Sequence, residues 1–338
     1  MNKIKNTLLA AAVLGMVAAP TLVSAQDDFS LILVADVGGI DDKSFNQGAW
    51  EGAQAWAEEQ GNPDAINYLH SKSDSDYVTN LNLATQSGAD LVYGIGFKMQ
   101  PSLEEVAKNH PEQNYAMIDS FVDLPNVASL NFADEEAAFL AGVVAANTTE
   151  TGKVGFLGGV EGVVIDKFEA GFVAGVEAVD ESIEVNVQYA GSFTDSSIGR
   201  TISAAMFASD VDVIFHASGP TGNGAFAEAK DLVTQDPERN LWVIGVDSDQ
   251  TEQGVFEIDG EERNINLTST LKNTGNVLRE FANQTMTEGF QGGDNWFDLS
   301  NGGVGLADGQ LTDELKAEVE LYTAKIIDGE ITVPDKPE

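Results

Sequence analysis

The side chains in this sequence that could hold a small polar molecule stand just after short apolar runs. The richest set lies in residues 35–52, ADVGGIDDKSFNQGAWEG, directly behind Leu31, Ile32, Leu33 and Val34. Asp36, Asp41 and Asp42 offer carboxylates, which only accept hydrogen bonds when ionised. Phe45 sets an aromatic face beside Asn46, whose amide both donates and accepts. Five later turns repeat the arrangement: a carboxylate at Asp119, a ring at Phe193, the run Phe215, His216, Ala217, Ser218 and Gly219, a carboxylate at Asp247, and an ammonium at Lys272. Each has a structural use too. Glycines shape turns, and an Asp after a strand commonly caps the next helix. An aromatic beside an amide at a helix start is harder to account for in that way.

The elements that would position these groups follow from periodicity. Residues 31–34 have strand length and β-branched character, and a Gly pair follows. Ser44 stands at a helix N-cap position, and Phe45, Ala49, Ala53 and Trp56 then recur at helical spacing. Strand, tight turn and helix make the first half of a βαβ unit, and in open α/β sheets ligands sit outside the carboxyl ends of the strands. Further strands are expected at 65–69, 91–96, 115–119 and 127–132, with helices at 76–87 and 101–109. The series restarts after residue 134, with helices at 134–146, 166–179, 197–208, 224–234, 271–288 and 312–328. Strands at 153–159, 185–189, 213–216, 241–246 and 265–270 alternate with them. Strands alternating with helices predict parallel sheets, here in two similar lobes.

GGIDDKSFNQGAWEG resembles the signature of the basic membrane protein family of substrate-binding proteins, the extracytoplasmic receptors of ABC importers that bind purine nucleosides. The turns at Asp119, Phe193, Phe215, Asp247 and Lys272 resemble that family's motifs as well, so the likeness runs from about residue 31 to 305. It implies a type I periplasmic-binding-protein fold: α/β, two doubly wound parallel-sheet lobes joined by three crossovers, placed near Asn131, Ser248 and Gly289. Residues 26–131 with 249–288 would form the first lobe, and 132–248 with 289–338 the second. It implies ligand contacts from Asp36, Phe45, Asn46, Asp119 and Lys272 in the first lobe, and from Phe193 or Phe215, Gly219 and Asp247 in the second. The chemistry agrees. A ring stacked on a base contributes about 1–3 kcal/mol, carboxylates suit ribose hydroxyls, Asn46 suits a base edge, and Lys272 would balance buried carboxylates. No cofactor, metal or catalytic residue is implied. The partners would be a small-molecule ligand and a permease, with the chain itself a monomer.

Composition bounds the rest. The chain has 338 residues, 43% of them apolar, enough for two cores. Lys3 and Lys5, the apolar run 8–19 and Val23-Ser24-Ala25 read as a secretory signal peptide over residues 1–25. The run is shorter than the roughly 20 residues that span a bilayer. A periplasmic or secreted, soluble protein is expected. The sequence has no cysteine, hence no disulfide and no thiol for a lipid anchor. A net charge of −38 argues against nucleic acid and anionic membranes. The three histidines lack metal-ligand spacing, and His216 reads as a satisfied strand-end histidine. Residues 155–162 lack dinucleotide-loop spacing. Two other roles share these features. One is a sensor of the same fold. The other is a calcium-dependent nucleoside hydrolase, whose D-x-D-P-G-x-D-D site would need a carboxylate where Val34 stands.

Overall fold

The structure, a computed structural model, describes residues 29–337. The signal-peptide reading of residues 1–25 lies outside them. The chain opens with β1 (Leu31–Ala35), α1 (Phe45–Glu59), β2 (Ile66–His70), α2 (Tyr77–Gln86), β3 (Leu91–Ile95), α3 (Gln100–Asn109), β4 (Asn114–Ile118) and β5 (Val127–Phe132). It continues through α4 (Asp134–Thr148), β6 (Lys153–Gly158), α5 (Val163–Val179), β7 (Glu184–Tyr189), α6 (Ser196–Ala208), β8 (Val213–Ala217), α7 (Asn223–Gln235) and β9 (Trp242–Gly245). The last part holds the turn α8 (Thr251–Gly254), a hairpin of β10 (Val255–Ile258) and β11 (Glu261–Asn264), β12 (Asn266–Lys272), α9 (Thr274–Glu288), β13 (Gly293–Phe297), β14 (Val304–Leu306) and α10 (Asp313–Ile327).

Two six-stranded sheets result, in the orders β13-β5-β4-β3-β1-β2 and β14-β12-β9-β8-β6-β7. Every pair in the first is parallel, and only β14 runs antiparallel in the second. Strands β1, β3 and β8 are buried at every residue because helices cover both faces of each sheet. In the first lobe α1 and α9 pack on one face, around Trp56 and Phe281, while α2 and α3 pack on the other, around Leu81 and Leu103. Helix α4 is apolar all round and buried along nearly its whole length. It meets α5 closely because Gly142, Gly171 and Gly175 lack side chains: a Cβ on Gly142 would stand 2.2 Å from the Phe172 carbonyl oxygen.

The fold is thus the two-lobed α/β architecture implied by the resemblance, but the chain divides differently. The first crossing joins β5 to α4. The second comes at 272–274, not near Ser248, because β12 pairs with β9 inside the second sheet. The third lies between β13 and β14, not near Gly289, because β13 pairs with β5 in the first sheet. Residues 249–272 therefore belong to the second lobe, and 293–297 to the first. The reason is local. The polar hairpin β10–β11 delays the return, and β12 runs on through Lys272, where a helix was expected from Leu271. Helical and strand periods name an element's type without naming the sheet it joins.

Candidate binding cleft between the lobes

The carboxyl ends of the two sheets face each other across a cavity lined by side chains from both lobes. Asp36, Phe45, Asn46, Phe97, Lys98 and Asp119 line it from the first lobe. Val164, Ile165, Phe168, Phe193, Gly219, Asp247 and Lys272 line it from the second.

The start of α1 is built around Asp42. Its carboxylate accepts from the backbone N–H of Ser44, Asn46 and Gln47 at 2.9–3.0 Å, and from Asn46 Nδ2 at 2.8 Å. Asp42 therefore satisfies the orphan donors of the first turn, a task the Ser44 position would ordinarily perform. The Ser44 hydroxyl is left over and donates across the cleft to Asp247 Oδ2 at 2.6 Å. Asn46 is also committed. Nδ2 donates to Asp36 Oδ1 at 2.8 Å as well as to Asp42, and Oδ1 accepts from the Asp36 N–H at 3.2 Å. Asp36 Oδ1 additionally accepts from the Gly38 N–H at 2.8 Å. Burial pushes the Asp36 carboxyl up to about 6, against the lowering effect of the Gly38 and Asn46 donors.

Lys272 is the electrostatic hub. Its ammonium donates to Asp119 Oδ2 at 2.7 Å and to Asp134 Oδ2 at 3.1 Å. It also lies 5.1, 5.0 and 5.9 Å from the ring centres of Phe45, Phe132 and Phe168, which is cation–π range. Burial works against the charge, but Asp119, Asp134 and Asp247 together outweigh it and hold the ammonium above the ordinary lysine value. Burial raises the Asp134 carboxyl, with Lys272 opposing. Asp247 is pushed up to about 6 by burial, with Lys272 and Ser44 opposing. Asp119 and Asp247 both hold left-handed backbone, φ 69° and 65°, strain of a kind that gathers at ligand clamps. At the mouth, Phe97 meets Phe193 edge-on across the lobes, centroids 6.4 Å apart, and Lys98 pairs with Asp74 at 2.6 Å.

Comparison with known proteins decides the family. The profile of the ABC transporter substrate-binding protein family described as PnrA-like matches residues 29–337. The chain belongs to this family. It is similar to the CD4+ T-cell-stimulating antigen of Listeria innocua, 48% identical over 92% of this chain and 89% of that one. It is also similar to the ABC transporter nucleoside-binding protein BmpA of Lactococcus lactis, 45% identical over 91% and 90%. Among solved structures it resembles an ABC transporter system solute-binding protein from Aeropyrum pernix, with TM-score 0.81 and 27% identity over 92% and 94%. A PnrA-like substrate-binding protein serves an ABC transporter, so its partners are a small molecule and a permease.

Within this PnrA-like cleft the structure gathers Asp36, Phe45, Asn46, Asp119, Phe193, Gly219, Asp247 and Lys272 around one cavity. Phe215 is not among them. It is fully buried, with its ring 5.3–6.1 Å from those of Phe156, Phe168 and Phe172 in the second-lobe core. Lys272 reaches the site from the second lobe, because β12 belongs there. Asn46 spends both amide protons on carboxylates, so it orients Asp36 where a base-edge contact was expected. Phe168, Phe97, Lys98 and Asp134 were not anticipated. Phe168 had one signal: α5 follows the first strand and Gly turn of its lobe as α1 does, and each helix brings a Phe to the cavity. His216 is buried, with Nε2 2.9 Å from Gln250 Oε1, and burial lowers its pKa to about 4. The carboxylate oxygens of Asp42 and Oδ1 of Asp36 are taken up by N–H donors, which leaves little for a calcium ion. No group of three or more acidic or histidine side chains among the described residues is placed to hold a metal. Among the same residues no helix is long and apolar enough to cross a membrane.

Proposed function

We propose that this chain captures a purine nucleoside between its lobes and delivers it unchanged to its permease, as an exported monomer without a lipid anchor. The observation that carries the reading is one cavity bordered by rings from both lobes, Phe45 and Phe97 against Phe168 and Phe193, together with Asp36, Asp119 and Asp247. Rings suit the faces of a base, and carboxylates suit N–H groups and ribose hydroxyls. Asp36 Oδ1 is occupied by protein donors, so Oδ2 is the oxygen left for a ligand. Lys272 and Lys98 are each paired with carboxylates, so no uncommitted cation among the lining residues awaits a phosphate. That favours a nucleoside over a nucleotide. The nucleoside-binding relative from Lactococcus supports the same class.

The test is mass spectrometry of small molecules released by denaturing the purified protein, followed by calorimetric titration of ligand-stripped protein with inosine, adenosine and guanosine. A released nucleoside that rebinds with 1:1 stoichiometry is expected. Release of a sugar or amino acid, with no heat from any of the three nucleosides, would overturn the reading.

A further inference from the structure

A second set of contacts closes the cleft using protein atoms alone. The Lys43 carbonyl, on the first lobe, accepts from Ser248 Oγ and from Gln250 Nε2, each at 3.1 Å, and both donors belong to the second lobe. Lys43 itself holds left-handed backbone at φ 58°, which aims that carbonyl across the gap. Lys43 Nζ adds a contact to Gln253 Oε1 at 3.4 Å. Gln250 is only 3% exposed, and its amide can face only one way. The Val246 N–H, which can only donate, meets Oε1 at 3.1 Å. Oε1 is therefore the acceptor, and Nε2 must face Lys43. Neutral His216 then donates from Nε2 to the same Oε1, and the Gln250 N–H is anchored on Ser269 Oγ at 3.1 Å. Neither Ser248 nor Gln250 lines the cavity.

We propose that Gln250 and Ser248 form a clasp on the Lys43 carbonyl that favours the closed cleft whatever it contains, which makes them positioning residues for binding and not ligand contacts. A ligand touching both lobes binds the closed form, so its apparent affinity scales with the closed fraction. Loosening the clasp lowers affinity for every ligand by one common factor, whereas losing a ligand contact lowers it selectively. The inference does not depend on which small molecule the cleft takes.

The test uses Ser248→Ala and Gln250→Glu. The first removes one donor from a half-buried position. The second keeps the shape and the acceptor oxygen but sets an oxygen against the Lys43 carbonyl. Because the sequence has no cysteine, Glu58→Cys on α1 and Glu177→Cys on α5, both exposed, give two unique spin-label sites, one per lobe. The expected result is a shift of the inter-lobe distance distribution toward longer values in both clasp variants. Affinities for inosine, adenosine and hypoxanthine should fall by the same factor, about fivefold per lost bond. Distances unchanged from the parent chain, or a loss confined to one of the three probes, would overturn the clasp. If none of the probes binds the parent chain, the nucleoside reading fails, while the distance measurement still decides the clasp.

Discussion

Lys272→Met separates the two ways in which Lys272 could hold the cleft together. The ammonium sits within 2.7 Å of Asp119 and 3.1 Å of Asp134, and all three side chains are 5% exposed or less. Methionine keeps most of the stem volume between Phe45, Phe132 and Phe168 but removes the charge. Two buried carboxylates are then stranded, and breaking a buried pair in this way costs about 3–5 kcal/mol. The variant relieves that cost by taking up protons. A carboxyl whose folded pKa lies above its unfolded value binds more protons when folded, so its stability rises as pH falls through the folded pKa. Each extra bound proton restores about 1.4 kcal/mol per pH unit. The deficit against the parent chain should therefore be largest at pH 8 and mostly gone by pH 5. Adding Asp134→Asn removes one stranded carboxylate, which should reduce both the deficit and its pH slope. Urea denaturation of the parent, single and double variants at pH 8, 7, 6 and 5 reads this directly. A deficit of the same size at pH 8 and pH 5 would refute the argument. Lys272 would then matter for its packing against the three rings.

Phe45→Ala should weaken inosine binding by about 5- to 150-fold, the loss of one stacking partner, with little change in melting temperature. Phe215→Ala should do the reverse, costing about 3–5 kcal/mol of stability and sparing the affinity of the folded protein; exchanged outcomes would exchange the two assignments. Asp247→Ala should hurt inosine far more than 2′,3′-dideoxyinosine or hypoxanthine, because only inosine brings vicinal hydroxyls to the carboxylate. Equal calorimetric losses for all three would mean that Asp247 acts through its bond to Ser44 instead. Asp36 and Asp247 stand near pH 6 in the structure, and a ligand that donates to their ionised forms lowers those values. Affinity for inosine should therefore rise from pH 5 to pH 7, with protons released on binding at pH 6, as calorimetry in buffers of different ionisation enthalpy would show. A flat profile would exclude both carboxylates as acceptors.

Much of the architecture is legible in the sequence because each strand is a short apolar run closed by a Gly or Asp turn. Parallel topology then carries the strand-end side chains to one edge of each sheet. That is why Asp36, Asp119 and Asp247 stand out in the sequence as strand-end carboxylates, which the family resemblance then singles out as contacts. The choice between Phe193 and Phe215 could not be made so. All of β8 is buried, on both faces of its sheet, so the run VIFHA carries no alternation to say which way Phe215 points. Phe193 sits beyond the strand, after Gly191 at φ 69°, free to swing toward the cavity.

The lobe assignment failed for a related reason, and the failure is informative. Strand β12 reads NLTSTLK, yet Asn266, Thr268, Ser269 and Thr270 are all buried. The sequence marks a strand at 265–270, but its hydropathy does not say which sheet that strand joins or that it runs on through Lys272. The buried side chains work locally: Asn266 Nδ2 bonds the Thr268 carbonyl, Thr268 Oγ1 bonds the Ala307 carbonyl, and Ser269 Oγ accepts from Gln250. The same strand then ends in Lys272. Local rules are also broken at Ser44, an N-cap serine that caps nothing, and at Lys43, Asp119 and Asp247, which hold backbone that favours glycine. Ser44, Lys43, Asp119 and Asp247 border the cleft or the clasp beside it, whereas the other two non-glycine residues with left-handed backbone among the described residues, Asp210 and Asp259, lie in exposed turns. A folding requirement alone would select an apolar β12, a capping residue at 44 and glycine at positions 43, 119 and 247. At Ser44, Lys43, Asp119 and Asp247, where the contacts cross between the lobes, the chain gives up local preference for closure of the cleft.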